Sequence, residues 1–409
     1  MADYDLIVIG AGAAGLMAAG KAAARGNEVL LLEKNEQIGK KILITGKGRC
    51  NLTNDCEVEE MINNFPETGK FLYSALYNFS NWQLRSFFSD LGVETKVERG
   101  DRVFPVSDDA ADIVKALKKY IKQRGVKLKL KAKVTEILAT DDQIKGVKLE
   151  TGREYRGDNI LIAVGGKAYP STGSSGDGYK MAQDLGHTVK AVKPSLVPLE
   201  TKEQWVKEAQ GLNLRNVTAT LVVNGKEKEQ EFGEMLFTHF GVSGPIILTL
   251  SRKVVQHLNQ ELKLKINLKP ALSLNKLDNR LQRDFKKYTR KQFKNSLDDL
   301  LPKKLIPIII ELSSIPNDKF VHQITTEERE ELIEILTGLE LTITGTRGFR
   351  SAIVTTGGVR TEEINPSTME SKLINGLYFA GEIIDIDGYT GGYNLQAAFS
   401  TGFLVGSQI

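Results

Sequence analysis

Gly10, Gly12 and Gly15, spaced as GAGAAG, are the residues whose type and position imply chemistry most directly. In such a run the first glycine permits a tight turn off a strand. The second lets backbone approach a pyrophosphate, and the third lets a helix pack on that strand. With Ala13 and Ala14 they open an alanine-rich run to Arg25, which would aim helix amides and a positive dipole end at the phosphates. Tyr4–Gly10 (YDLIVIG) reads as a buried parallel strand and Glu28–Glu33 (EVLLLE) as a second. Glu33 closes that second strand 23 residues after Gly10, where a carboxylate accepts the ribose hydroxyls of a dinucleotide.

This motif does not by itself separate a nicotinamide from a flavin dinucleotide. Lys34 leads into a glycine- and base-rich loop, Gly39–Asn54, that carries Gly48, Arg49, Cys50 and Asn51. Near the other end, LYFAGE (Leu377–Glu382) reads as a strand ending in Gly381 and Glu382. It precedes DGYTGGYNLQ, in which Gly392, Tyr393, Asn394 and Leu395 open a helix. An acidic group there suits a ribityl hydroxyl, and a helix N-terminus stabilises charge on the N1/O2 edge of a reduced flavin. FAD is the expected cofactor, with Arg49 pairing bidentately with its pyrophosphate.

For proton transfer the candidate is His239 in THFG, because imidazole titrates near neutrality. Tyr389 and Tyr393 flank the glycines of the last motif and could orient a substrate. Cys50 and Cys56 are separated by five residues, not the four of disulfide reductases, and read as ordinary thiols. Four scattered histidines and two cysteines give no metal-ligand spacing. Arg283–Lys304 is strongly basic, but basic helix faces are usually solvated, so nucleic acid is not the expected partner.

The elements that must position these groups follow from texture. Buried-strand patterns dominate to Gly165, with an amphipathic helix at Asp108–Arg124, and a Gly/Ser/Pro-rich segment runs Gly165–Gly178. After about Ala191, alternating strands (Val217–Val223, Leu262–Leu268) and Lys/Glu/Leu-rich helices (Leu274–Tyr288, Ser296–Ile310, Thr325–Leu336) appear. Buried-strand texture returns near Gly345. The expected α/β organisation is a discontinuous Rossmann-like domain, 1–190 and 346–409, with a β-rich insert (191–272 and 337–345) and a helical insert (273–336). At 409 residues, 41% apolar and 26% charged, with net charge +4, the chain is an ordinary globular protein of two or three domains. The N-terminus lacks a signal-peptide pattern and no apolar run reaches membrane-helix length, so the cytoplasm is expected.

Together GAGAAG, GKGRCNLTN (Gly46–Asn54), VGGKAYPSTGSSGDGY (Val164–Tyr179), FTHFGVSGP (Phe237–Pro245), TMESK (Thr368–Lys372) and GLYFAGEIIDIDGYTGGYNLQ (Gly376–Gln396) resemble one family along essentially the whole chain. These are the bacterial three-domain flavoproteins known as NAD(P)/FAD-dependent oxidoreductases, which include aminoacetone oxidases and bile-acid-pathway reductases. The resemblance implies an FAD domain interrupted by a β-barrel-like subdomain and a small helical one. It also adds Lys41, Val134, Gly165 and Gly166 to the FAD contacts. One departure stands out: Lys47 replaces the middle glycine of the family's GGGRCN loop. The implied activity is redox chemistry on a small organic substrate, exchanging electrons with NAD(P)H as a transient donor or with O2. A peroxide-forming amine oxidase is one alternative; an RNA-associated flavoprotein, or an FAD-bound binding module, is another. Oligomeric state leaves no mark in the sequence.

Overall fold

The computed structural model describes residues 2–409. It forms two compact units, the first running to Ser195 and resuming at Phe349–Ile409, the second being Leu196–Gly348.

In the first unit, β1 (Tyr4–Ile9) leads through Gly10–Gly12 into helix α1 (Ala13–Ala23), and β2 (Val29–Leu32) returns parallel to β1 with Ile9 opposite Leu32. Strand Lys127–Lys129 extends the sheet beyond β2, while Glu154–Ile162 pairs parallel with the other side of β1. Leu377–Phe379 adds parallel to the end of that strand, and the antiparallel hairpin Val134–Thr140/Gln143–Leu149 joins its beginning. Sequence order therefore departs from β1 in both directions, which opens a crevice at its C-terminal end where Gly10 turns. β1 and β2 are almost entirely buried apolar side chains, as a parallel sheet covered on both faces requires.

The C-terminal helix, Tyr393–Gln408, lies against α1. Gly402 and Gly406 permit this approach: a Cβ at Gly402 would stand 2.2 Å from the Ala14 carbonyl oxygen, and one at Gly406 would stand 2.6 Å from that of Ala18. The two pairings run in the same direction. They set the start of the C-terminal helix about eight residues, roughly 12 Å at 1.5 Å per residue, ahead of the start of α1.

The second unit is a closed barrel of six strands in the order Leu199–Thr201, Gly241–Ser243, Lys226–Phe237, Asn213–Val223, Leu262–Asn267 and Leu339–Thr346. Helices Leu274–Lys287, Ile306–Leu312 and Thr326–Thr337 contribute Leu277, Leu281, Ile309 and Leu332 to the same core as the barrel's Val217, Leu221, Leu264 and Leu341. Barrel and helices share one hydrophobic core.

Two expectations are corrected. Val189–Ser195 pairs antiparallel with Val354–Val359 inside the first unit, so the insertion starts after Ser195 and not at 191. Ser296–Ile310 is not one helix. Helix is confined to Ile306–Leu312, because Pro302 can neither donate its amide nor admit a helical predecessor, and Pro307 occupies a helix's first turn.

The Gly402 contact yields a direct test. Replacing Gly402 with Val pushes a side chain into the Ala14 backbone, and overpacking of this kind costs about 1–3 kcal/mol. A lowered Tm with a matching loss of bound flavin is the expected result, measured by thermal unfolding and by flavin absorbance of the purified variant.

Candidate functional site

The three N-terminal glycines differ in what demands them. A Cβ at Gly10, whose φ is +101°, would meet the Ala163 carbonyl at 2.6 Å, and one at Gly15 would meet the Gly10 carbonyl at 1.9 Å. Packing within the chain explains both. Around a Cβ at Gly12, no atom among the described residues comes within 4 Å, and Gly12 has ordinary extended backbone. Nothing in the fold requires glycine there. A phosphate group drawn against the backbone does require it, and α1 begins at that point with no side-chain cap and no acid in its first turn.

Beside this turn Glu33 is buried, its carboxylate accepting the Ala11 amide (2.8 Å) and both the backbone and side-chain N–H of Asn35 (2.8 and 2.7 Å). Lys34 reaches the glycine-rich segment and pairs with Asp177 at 2.7 Å. The Asn35 side chain donates to the Thr172 carbonyl, so residues 165–178 are tied to the end of β2. Val134 is buried where its strand begins, two residues after the Ala132 amide donates to the Glu33 carbonyl.

Lys41 and Glu382 form an ion pair at 2.5 Å, and the second Glu382 oxygen accepts the Thr355 amide at 2.7 Å. Gly165 has φ +74°, and Gly166 lies so close to Thr355 and Glu382 that a Cβ would reach the Thr355 hydroxyl at 2.4 Å. Thr355 Oγ1 accepts the Lys167 and Ala168 amides. Thr355 carries no sequence motif. Its role emerges only because Val354–Val359 pairs beside the segment that follows Gly165.

The Gly39–Asn54 loop is held in left-handed turns. Gly46, Lys47, Gly48 and Cys50 all have φ between +56° and +86°. Lys47 thus stands in a conformation that favours glycine, which accounts physically for the glycine usual at this point in similar loops. The loop is pinned to the C-terminal helix: Thr53 Oγ1 donates to Gln396 Oε1 at 2.7 Å, and Asn54 Nδ2 to the Gly391 carbonyl at 3.2 Å. A Cβ on Gly392, the helix N-cap, would lie 2.3 Å from the Thr53 carbonyl oxygen. The Asn394 side chain folds back to hold Gly388 and Tyr389, and Gly381 donates its amide to Thr401 Oγ1. The C-terminal helix, like α1, begins with no side-chain cap and no acid in its first turn, and the Leu395 amide stands within that turn.

The remaining candidates have the following surroundings. The Arg49 guanidinium is bound by Glu98 and Asp108, well beyond its own loop, and lies 4.2 Å over the Phe104 ring. Cys50 and Cys56 are free, buried thiols, both pushed up to about 12 by burial, and neither is a thiolate near neutrality. Tyr393 is buried, with its phenol raised to about 12 by burial and then by the nearby Cys56, so it packs at the helix start instead of presenting an open hydroxyl. Tyr389 is half-buried against the main core. His187, between Glu363 (3.2 Å) and Ser371 (2.9 Å), is held below its usual range by burial. His239 is exposed on the barrel turn between Lys226–Phe237 and Gly241–Ser243, its ring edge-on to Phe240. The three catalytic candidates therefore divide between the units, His239 in the second and the two tyrosines in the first.

A Rossmann-type sheet with a pyrophosphate cradle at Gly12, a carboxylate at Glu33 and a second uncapped helix behind Gly392 is the frame of an FAD-dependent oxidoreductase. The residues fit the cofactor: the space beside Gly12 is open where phosphate would lie. The family described as HI0933-like protein Rossmann domain matches residues 4–408, and the chain belongs to it. It is 36% identical to a 3-dehydro-bile acid delta(4,6)-reductase of Clostridium scindens, over 98% of this chain and 97% of that one. It is also 33% identical to a ribosomal RNA dihydrouridine synthase of Escherichia coli, over 98% and 96%. Among solved structures, a 3-ketosteroid delta1-dehydrogenase of Sterolibacterium denitrificans shares the fold with a TM-score of 0.55 at 12% identity, covering 99% of both chains. A flavocytochrome c3 fumarate reductase does so with a TM-score of 0.53 at 17% identity, over 98% of this chain and 77% of that one. Among the described residues, no helix is long and apolar enough to cross a membrane.

Two substitutions separate cofactor from fold. Gly12→Ala has room in the protein and changes unfolding of the flavin-free chain by no more than about 1 kcal/mol, yet it is expected to abolish FAD retention, read by absorbance after desalting. Lys47→Gly relieves a left-handed side chain and should stabilise the protein by about 1 kcal/mol, read as a raised denaturant midpoint.

Proposed function

We propose that the chain is a FAD-dependent reductase that saturates a carbon–carbon double bond conjugated to a carbonyl, with NAD(P)H as electron donor. The observation carrying this reading is that relatives of both kinds match the chain end to end. A bile-acid dienone and the uracil ring differ in size and charge, but each offers a double bond made electrophilic by a carbonyl. Bound FAD supplies hydride chemistry; the chain's contribution is position and a proton. Addition at the β-carbon leaves enolate charge on the substrate, so an acid must serve the α-carbon. His239 is the residue proposed for this, and Tyr389 the residue proposed to orient the substrate. The sequence offers one dinucleotide fingerprint. NAD(P)H is accordingly proposed to use the substrate's face of the flavin in a ping-pong sequence.

For the substrate, the second unit favours uracil in RNA. Ten Lys/Arg against four Asp lie between Lys276 and Lys304. Within that stretch Lys286, Arg290, Lys294 and Lys303 are exposed, with no carboxylate partner among the described residues. Such a surface gains affinity by releasing phosphate counterions. A small enone, the kind of substrate expected from the sequence, is the second reading, favoured by the 36% identity to the bile-acid enzyme.

Incubation with NADPH and ribosomal RNA from cells lacking the protein, followed by nucleoside mass spectrometry, tests this directly. Dihydrouridine should appear, with RNA binding that weakens steeply with salt. Reduction of a steroid dienone but not of RNA would move the substrate to the second reading. Peroxide from an aminoketone and O2, with neither reduction, would contradict the reductase. His239→Ala should slow turnover about 10²–10⁴-fold with flavin content unchanged.

A further inference from the structure

Residues 289–294 and 317–322 of the second unit run side by side. The Phe293 amide donates to the Lys319 carbonyl (2.8 Å) and the Val321 amide to that of Lys291 (3.0 Å), which sets Gln292 opposite Phe320. Side chains alternate between the two faces of such a pair. Phe293 and Val321 enter the core, so Phe320 must face out. A polar side chain would be the neutral choice at that position, yet a phenyl stands there, 43% exposed. His322 braces it. The imidazole Nδ1–H donates to the Thr289 carbonyl at 2.9 Å, and the two ring centroids lie 5.8 Å apart at 32°.

Charge around these rings is one-sided. The two segments carry Arg290, Lys291, Lys294 and Lys319 against Asp318. Lys319 is taken up by Glu328 at 2.6 Å. Arg290, Lys291 and Lys294 are exposed, with no carboxylate partner among the described residues. A segment seated on a membrane presents a row of apolar side chains, whereas these two expose no large apolar side chain besides Phe320 among the described residues. An open ring among free cations matches a nucleobase joined to phosphates, and a base offers its face only where it is unstacked.

We propose, resting on the reading of the substrate as uracil in RNA, that Phe320 braced by His322 is a stacking surface for an unpaired base. Arg290, Lys291 and Lys294 hold the flanking phosphates. The second unit therefore takes hold of single-stranded RNA and discriminates against duplex.

The holoenzyme and a short oligouridine carrying one 2-aminopurine, whose fluorescence falls on stacking, test this. Binding should quench the probe, and a duplex of the same length should bind more weakly. Phe320→Ala should weaken binding about tenfold and leave the probe unquenched, with an unchanged Tm, while Phe320→Tyr keeps both properties. Arg290→Ala and Lys294→Ala should keep the quenching and each reduce the slope of log affinity against log salt by about 0.7. Unaltered affinity and quenching in Phe320→Ala, or no binding of oligouridine, would overturn the assignment. So would Phe320-dependent binding to phosphatidylglycerol vesicles with oligouridine binding indifferent to Phe320. Oligouridine held through Phe320 with no dihydrouridine formed in ribosomal RNA overturns the uracil reading and leaves the stacking surface standing. Dihydrouridine formed by a Phe320→Ala variant that binds oligouridine like the native protein does the reverse.

Discussion

The constraint on which the flavin site depends is the close parallel approach of two helices from opposite ends of the chain. Gly402 and Gly406 bring the C-terminal helix onto the backbone of Ala14 and Ala18, with no side chain between them. This contact fixes both ends at once. It holds two uncapped, positively polarised helix starts in a common orientation, staggered by roughly 12 Å. In the proposed FAD complex one would face phosphate and the other an electron-rich ring edge. The remaining parts are arranged around that pair: the 39–54 loop is bonded to the second helix through Thr53 and Asn54, and the 165–178 segment is bonded to the end of β2 through Asn35.

Electrostatics follow the same plan. Both helix starts lack acidic residues in their first turns, while Glu33 and Glu382 are surrounded by donors. Lys41 neutralises Glu382, and Lys34 is drawn off to Asp177. An anionic cofactor bound there would be met by backbone dipoles more than by free side-chain cations. Arg49 shows this most plainly: the most conspicuous cation of the loop is already bound by two carboxylates of its own domain.

Legibility in the sequence followed the range of the interactions. The Gly10–Gly15 turn, Glu33 and the Gly392 helix start were readable because each is a local device whose residue types are dictated by backbone geometry. The ion pairs of Arg49 were not legible because its partners, Glu98 and Asp108, lie about fifty residues on, and no local pattern announces an ion pair. Thr355 was missed for the same reason, since it acts through strand pairing with a distant segment. Gly402 and Gly406, four apart on a helix, were a legible signal of close packing, but their partner, the alanine-rich α1, lies at the other end of the chain. The boundary at Ser195 shifted because Val189–Ser195 resembles the half-exposed strands that follow it and only pairing with Val354–Val359 assigns it to the first unit.

The measurement that bears most directly on this account is a crystal structure of the FAD-bound protein. The account predicts the pyrophosphate on the amides at Gly12–Ala14, the ribose hydroxyls at Glu33, and the pyrimidine edge of the ring at the start of the C-terminal helix. A dinucleotide bound in the reverse sense, or a ring lying away from Gly392, would contradict it.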